Sequence, residues 1–328
     1  MLHKRLKWLA IFTAIWMFLV LLGGALVTKT DSGDGCGDDW PLCNGKFVPA
    51  YTIESMIEYS HRIVSGIVGL LVLVIFIWVL MRYRQRKDIV LYAGITLFFT
   101  VLQGGLGAAA VVWGQSSAVM ALHFGFSLAA FASTLLLAIA VARIDQPAHP
   151  SGWGEAKIMN GPSVNRSFRL IVWLNAIYTY VVVYFGAYVR HTESWAGCEG
   201  WPLCNGYVIP PLSGETGIAF LHRVSALPLV ILVIYMVIVA VKQYGHIREI
   251  RVSSWWALAL TILQNLSGAL VVFTLTSVNG HLFSGMVHTV LVAGLFGVLS
   301  YMSILVWQMR GVNEKSPEPA EAPQYAAR

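Results

Sequence analysis

Eight long apolar stretches constrain the fold of this chain more than any other feature of its sequence. Each is long enough to cross a hydrocarbon core roughly 30 Å thick, which needs about 20 helical residues. Because lipid cannot satisfy the hydrogen bonds of an open backbone, such stretches predict membrane-spanning helices. The expected spans are Trp8–Val27, Ile63–Met81, Ile89–Trp113, Ala118–Ala142, Leu170–Val189, Val224–Val241, Trp255–Leu275 and Leu282–Met309.

The composition supports an all-α integral membrane protein. Of the 328 residues, 57% are hydrophobic and only 12% are charged, and the mean hydropathy is +0.68, far from the balance of a soluble domain. The first apolar stretch is too long for a secretory signal and lacks the small-residue cleavage pattern, so we interpret it as a helix.

The distribution of the 22 lysines and arginines predicts the orientation. Positively charged loops tend to stay on the cytoplasmic side of a membrane. With both termini cytoplasmic, most basic residues fall on that side, and the net charge of +6 needs no nucleic-acid partner to explain it. The basic residues left outside are Lys29, Lys46, Arg62, Arg190 and Arg223.

One short sequence occurs twice and reveals an internal duplication. Trp-Pro-Leu-Cys-Asn-Gly stands at Trp40–Gly45 and again at Trp201–Gly206. Four helices per copy is an even number, so both halves enter and leave on the same face, and the repeat is expected to be parallel. The predicted fold is therefore two tandem, pseudo-symmetric four-helix bundles. The expected units are residues 1–142, a cytoplasmic linker 143–169, residues 170–310 and a disordered tail 311–328.

All four cysteines fall in the two long outside loops, where an oxidising exterior permits disulfides. The natural local pairs are Cys36 with Cys43 and Cys198 with Cys204. Each pair is either a staple of its loop or a thiol pair that exchanges electrons, since the loops lie above histidine-bearing helix ends. A zinc site is disfavoured, because half of the chain separates one pair from the other.

Each half carries one histidine near the outer end of its second helix and one near the outer end of its fourth. These are His61 with His123, and His222 with His288. Ionisable side chains inside a membrane are costly and usually functional, and two facing imidazoles in a helix bundle are a common way to ligate haem. We therefore predict a haem pocket near the outer leaflet in each half. His281, seven residues before His288, is a weaker substitute ligand.

Two further charged features stand next to the histidines. Arg62 and Arg223 follow the second-helix histidines and could either pair with haem propionates or snorkel to the headgroups. Glu58, three residues before His61, has no counterpart in the second half, where Ala219 precedes His222. Glu58 either lies beside the first haem or closes a capping box onto the Ser55 amide.

These duplicated halves, with a histidine pair in each and cysteine-containing outside loops, resemble haem A synthase of the bacterial, cysteine-bearing kind from the first helix to the eighth. The resemblance implies an oxidoreductase of the cell membrane that oxidises the C8 methyl group of haem O to a formyl group. An alcohol is the intermediate, and haem A for terminal oxidases is the product. The resemblance further implies that His222 and His288 bind haem b as cofactor. It places the substrate haem O at His61 and His123, with Glu58 as the essential acid.

The resemblance also suggests roles for the cysteines and partners. It implies that Cys36 and Cys43 take part in electron transfer and that Cys198 and Cys204 are structural. Contact with the farnesyltransferase that makes haem O, and with an electron-transfer partner, is expected. The alternative is a dihaem b-type cytochrome that passes electrons from quinol without haem chemistry. A transporter or haem-handling chaperone is a third class, which would have no redox requirement.

Overall fold

The computed structural model describes residues 2–48, 51–144 and 163–309. Within these residues it contains eight helices that are long and apolar enough to cross a membrane, which confirms the predicted all-α, eight-span architecture. The predicted tail 311–328, and most of the predicted linker 143–169, lie outside the described residues. The helices are α1 (Leu2–Lys29), α2 (Ile53–Arg82), α3 (Lys87–Trp113), α4 (Ser117–Ala142), α5 (Arg166–His191), α6 (Gly214–Tyr244), α7 (Arg248–Phe273) and α8 (Val278–Gln308).

The second helix of each half begins about three turns before its predicted apolar span. Helix α2 begins at Ile53, where the Thr52 side chain caps it by accepting from the Ser55 amide, and α6 begins at Gly214. The discrepancy arises because hydropathy reports contact with lipid, whereas a helix is defined by its backbone hydrogen bonds. The polar first turns of α2 therefore extend the helix above the apolar span, and they carry the acid Glu58.

The helices pack as two closed groups. Helix α1 contacts both α2 and α4, and α5 contacts both α6 and α8, so α1–α4 and α5–α8 each close on themselves. The groups meet where α4 contacts α5 and α8, and where α1 contacts α8. Helices α4 and α8 are central. In their most apolar 18-residue segments, 61% and 56% of the residues are buried, against 6% in α3. The parallel pseudo-symmetry, the four-unit division and the orientation of the termini stay predictions.

The largest apolar core lies at the end of the bundle opposite the disulfide loops. It takes buried side chains from all eight helices, including Leu6 of α1, Ile75 of α2, Phe168 of α5 and Leu299 of α8. Each of these is fully or almost fully buried. A close-packed base of this kind leaves the loop end of the bundle to the polar and histidine side chains.

The two cysteine-containing loops, between α1 and α2 and between α5 and α6, repeat the same local structure. Each starts with a residue of positive φ, Asp31 or Glu193, followed by a single 3₁₀ turn. Each then lies against the next helix so closely that glycine is required. A Cβ on Gly35 would lie 2.6 Å from the carbonyl carbon of Glu54, and one on Gly197 would lie 2.5 Å from that of Glu215. The loops are therefore seated on the first turns of α2 and α6.

Candidate haem-binding site

The two histidines of the first half lie against glycines of neighbouring helices. The imidazole of His61, on α2, packs on α1, where a Cβ on Gly23 would lie 3.1 Å from its Nδ1 and one on Gly24 would lie 3.3 Å from its Cε1. The imidazole of His123, on α4, packs on α3 beside Gly107, at 3.7 Å. The missing side chains of these glycines make room for the rings.

The second half repeats this arrangement. His222, on α6, packs on Gly186 of α5, where a Cβ would lie 2.8 Å from the imidazole Cε1. His288, on α8, packs on Gly268 of α7, at 3.4 Å. Thus each half brings one histidine from its second helix and one from its fourth to the same end of a bundle, each accommodated by glycine.

Within each half the two imidazoles are electrostatic neighbours, His61 with His123 and His222 with His288. Nδ1 of His61, His123 and His222 is buried and finds no hydrogen-bond partner within the described part of the chain. A buried polar nitrogen without a partner is costly, so the described protein groups alone do not satisfy these three imidazoles. The histidine pairs therefore have the donor chemistry that an iron porphyrin needs.

His288 differs from the other three histidines in being held by hydrogen bonds at both ring nitrogens. The Ser267 hydroxyl lies 2.9 Å from its Nδ1, and the Gln264 amide lies 2.9 Å from its Nε2. In the first half, the corresponding Gln103 instead donates to the His123 carbonyl, at 2.8 Å. The position that corresponds to Ser267 holds Leu106, which cannot bond an imidazole.

A cavity of about 540 Å³ lies at the loop end of the second half, in the size range of ligand and cofactor sites. Both His222 and His288 line it, so the structure brings this predicted pair to one cavity. His281 also lines it, with its ring 5.0 Å from that of Trp195 and its Nδ1 3.4 Å from the Val271 carbonyl.

Glu58 is 4% exposed and joins α2 to the first disulfide loop. Its Oε2 accepts a hydrogen bond of 2.8 Å from the Cys36 amide, and its Oε1 accepts from the Arg62 guanidinium. The capping-box interpretation is wrong, because the Ser55 amide donates to Thr52 instead. Glu58 therefore does not cap α2, and it lies one helical turn before His61.

The two arginines bind backbone carbonyls of the loops above them. Arg62 donates to the carbonyls of Asp39 and Leu42. Arg223 makes the equivalent bonds to Gly200 and Leu203. Nη2 of Arg223 donates to the Cys198 carbonyl, whereas Nη2 of Arg62 donates to Glu58. A propionate role for either arginine stays a prediction, and it would require these bonds to be exchanged.

Both predicted cysteine pairs are disulfide-bonded, Cys36 with Cys43 and Cys198 with Cys204, which leaves no cysteine free. The local pairing predicted from the loop positions is therefore confirmed. Arg62 and Arg223, which follow His61 and His222, bond each disulfide loop to the next helix. Whether the first pair exchanges electrons stays a prediction.

Comparison with known proteins identifies the family. The model of the COX15-CtaA family, described as cytochrome oxidase assembly protein, matches residues 7–55, 50–163 and 169–219. The chain belongs to the COX15-CtaA family. It is 42% identical over 311 residues to the heme A synthase of Bacillus licheniformis, covering 94% of this chain and 98% of that protein. It is 42% identical over 307 residues to the heme A synthase of Symbiobacterium thermophilum, covering 92% and 95%.

For a member of the COX15-CtaA family, the second-half cavity fits a haem. Its size, its two histidines and the buried unbonded Nδ1 of His222 are all consistent with that group. Sequence reasoning missed Ser267 and the lysine that enters the cavity from the other half, Lys29. A comparison of the two copies could have indicated Ser267, because this polar residue stands where the first copy has Leu106.

Proposed function

We propose that this chain is a haem A synthase that oxidises the C8 methyl group of haem O to a formyl group through an alcohol. One observation carries this proposal beyond the family assignment. The acid Glu58 stands one helical turn before His61 in the first half only, and its counterpart in the second half is Ala219. A protein that only transfers electrons has no need for an acid in one of two otherwise matching sites.

We assign haem b to His222 and His288, and the substrate haem O to His61 and His123. The support is the difference in how the rings are held. A hydrogen bond to the second ring nitrogen orients a metal-binding histidine and strengthens its binding, and His288 has such a partner in Ser267. Nδ1 of His61, His123 and His222 has no such partner within the described residues. The difference between the pairs is therefore the way in which His288 is held, which suits a resident cofactor at its pair and an exchanged ligand at the first.

Glu58 is proposed to handle protons at the substrate. Conversion of the methyl group to the alcohol, with water as the source of the oxygen, releases two electrons and two protons. Oxidation of the alcohol to the aldehyde releases two more of each. A carboxylate one turn from His61 can accept such protons in turn. The Arg62 guanidinium and the Cys36 amide hold the carboxylate in place with charge-assisted hydrogen bonds.

The second half is proposed to serve electron transfer. Haem b, when bound, supplies a one-electron redox centre. The chain contributes the orientation of the ligands, through Ser267 and the glycines behind the rings, and a largely apolar cavity. The final electron acceptor is expected to be a separate partner in the membrane, and contact with the haem O farnesyltransferase stays a prediction.

Extraction of the bound haems from the purified protein tests the proposal. Haem O or haem A beside haem B is expected, whereas two haem B per chain would support the dihaem cytochrome and overturn it. His222→Ala and His288→Ala should each remove the haem b spectrum, while His61→Ala should leave that spectrum and abolish conversion of haem O. Normal haem b in either of the first two variants would contradict the assignment of the halves.

A further inference from the structure

Lys29 belongs to the first half but lies in the cavity of the second. It is the last residue of α1, and it lines the cavity that His222 and His288 share. Its side chain runs along α8 beside Gly285, where a Cβ would lie 2.7 Å from the lysine Nζ and 3.2 Å from its Cε. Gly285 stands one helical turn before His288, so the ammonium and the His288 imidazole lie on the same face of α8.

The position of Lys29 is fixed by an arginine of the second half. The guanidinium of Arg190 donates to the carbonyl of Thr28 and, at 2.6 Å, to the carboxylate of Asp31. These two acceptors flank Lys29 along the chain. The end of α1 is thereby held against α5, and the lysine side chain is directed toward α8.

The charges in this cavity are unbalanced. Three basic side chains line it, Lys29, Arg190 and Arg223, and no acidic side chain does so among the described residues. Arg190 is paired with Asp31, and Arg223 is bonded to loop carbonyls. The ammonium of Lys29 makes no hydrogen bond or ion pair to any described residue. A partly buried cation without a partner is costly, which indicates an anionic ligand.

We propose that Lys29 binds a carboxylate of the haem held by His222 and His288, so that the first half supplies a charged residue to the cofactor of the second. This inference rests on the proposed placement of haem b in that cavity. It assigns to Lys29 the propionate interaction that the sequence suggested for Arg223.

The first half lacks the same arrangement. The offset between Cys36 and Cys198 makes His191 the counterpart of Lys29. The offset between His123 and His288 makes Met120 the counterpart of Gly285. The first half thus has methionine where the second has glycine, and an imidazole where the second has a lysine ammonium. The cation therefore belongs to the resident cofactor and not to both haem sites.

The experiment uses the purified full-length protein with its bound haem. The variants are Lys29→Met, Lys29→Arg and, as a matched control, Lys46→Met in the exposed part of the first loop. The rate of haem b transfer to excess apomyoglobin should rise roughly 5- to 30-fold in Lys29→Met, as expected for the loss of one partly buried ion pair. It should stay near the wild-type rate in Lys29→Arg and Lys46→Met.

A second readout separates charge from packing. Removal of a nearby positive charge disfavours the reduced haem, so the midpoint potential of haem b should fall in Lys29→Met and stay close to wild type in Lys29→Arg. Gly285→Ala should fall between them, because the added methyl displaces the flexible ammonium without removing its charge. An unchanged potential in Lys29→Met would overturn the inference, even if haem were lost faster, since packing alone would explain that loss. Wild-type protein without haem b at His222 and His288 would instead refute the proposed function.

Discussion

The hydroxyl of Ser267 lies 2.9 Å from Nδ1 of His288, whereas Nδ1 of His123 has no hydrogen-bond partner among the described residues. A metal-binding imidazole with a partner on its second nitrogen keeps one tautomer and one ring orientation. Ser267 therefore holds His288 in one orientation, and nothing described holds His123 in this way. This difference supports the proposal that the second pair holds a resident haem and the first pair an exchanged one.

Substitution of Ser267 tests this difference. We expect Ser267→Ala to weaken haem b binding about 10- to 100-fold, the usual cost of losing such an outer partner, and to broaden the low-spin haem b spectrum. Titration of haem b into the haem-free protein measures the affinity. Ser253→Ala, at the far end of α7, is the control and should bind haem normally. Equal affinities for the two variants would show that Ser267 has no orienting role.

Neutralisation of Glu58 tests the proposed proton handling. Glu58→Gln preserves the shape of the side chain and can still accept from the Cys36 amide, but it loses the negative charge that Arg62 binds. We expect the variant to bind haem O and to accumulate the alcohol, which chromatography of extracted haems would detect. Glu54→Gln, an exposed acid in the first turn of the same helix, should convert haem O normally. A full yield of haem A from Glu58→Gln would sink the assignment.

Removal of the disulfides distinguishes the two loops. The Cys36 amide bonds Glu58, whereas the second loop carries no such contact with a carboxylate. Replacing Cys36 and Cys43 by alanine should therefore lower turnover strongly while haem b stays bound. Replacing Cys198 and Cys204 should mainly lower stability, by about 2 kcal/mol for a short closed loop. Thermal unfolding and haem A yield, measured on both double variants, check this. Full turnover and unchanged stability in the first variant would show that the Cys36–Cys43 disulfide is dispensable for both activity and stability.

The eight helices and the four histidines could be predicted because each leaves a local signal in the sequence. The length of an apolar stretch predicts a membrane-spanning helix, and the repetition of the histidines in both halves indicates which of them are functional. The contacts of Arg62 and Glu58 could not be predicted in the same way. They depend on how closely the outer loop approaches α2, which is set by the backbone contact at Gly35, and local sequence does not encode that distance.

The contacts of Lys29 also could not be predicted from the local sequence. Its position outside the membrane core was evident from the sequence, but the helix it would meet was not. The contact depends on the packing of α1 against α8 between the halves and on the absence of a side chain at Gly285. Contacts between elements that are distant in the sequence depend on the whole fold. A residue of one half that lies in the site of the other is therefore hard to predict from the sequence.

The glycines behind the histidines provide the most local test of the site. A Cβ on Gly186 would lie 2.8 Å from Cε1 and 3.1 Å from Nε2 of His222, closer than non-bonded carbon atoms approach each other. Gly186→Ala should therefore push the imidazole out of position and reduce the haem b bound per chain, as measured by the pyridine haemochrome assay. Gly104→Ala, on the neighbouring bundle, is the control, because a Cβ there meets no atom within 4 Å. If Gly186→Ala retained the wild-type amount of haem b, the imidazole of His222 would not be confined by α5, and its assignment as a preorganised ligand would fail.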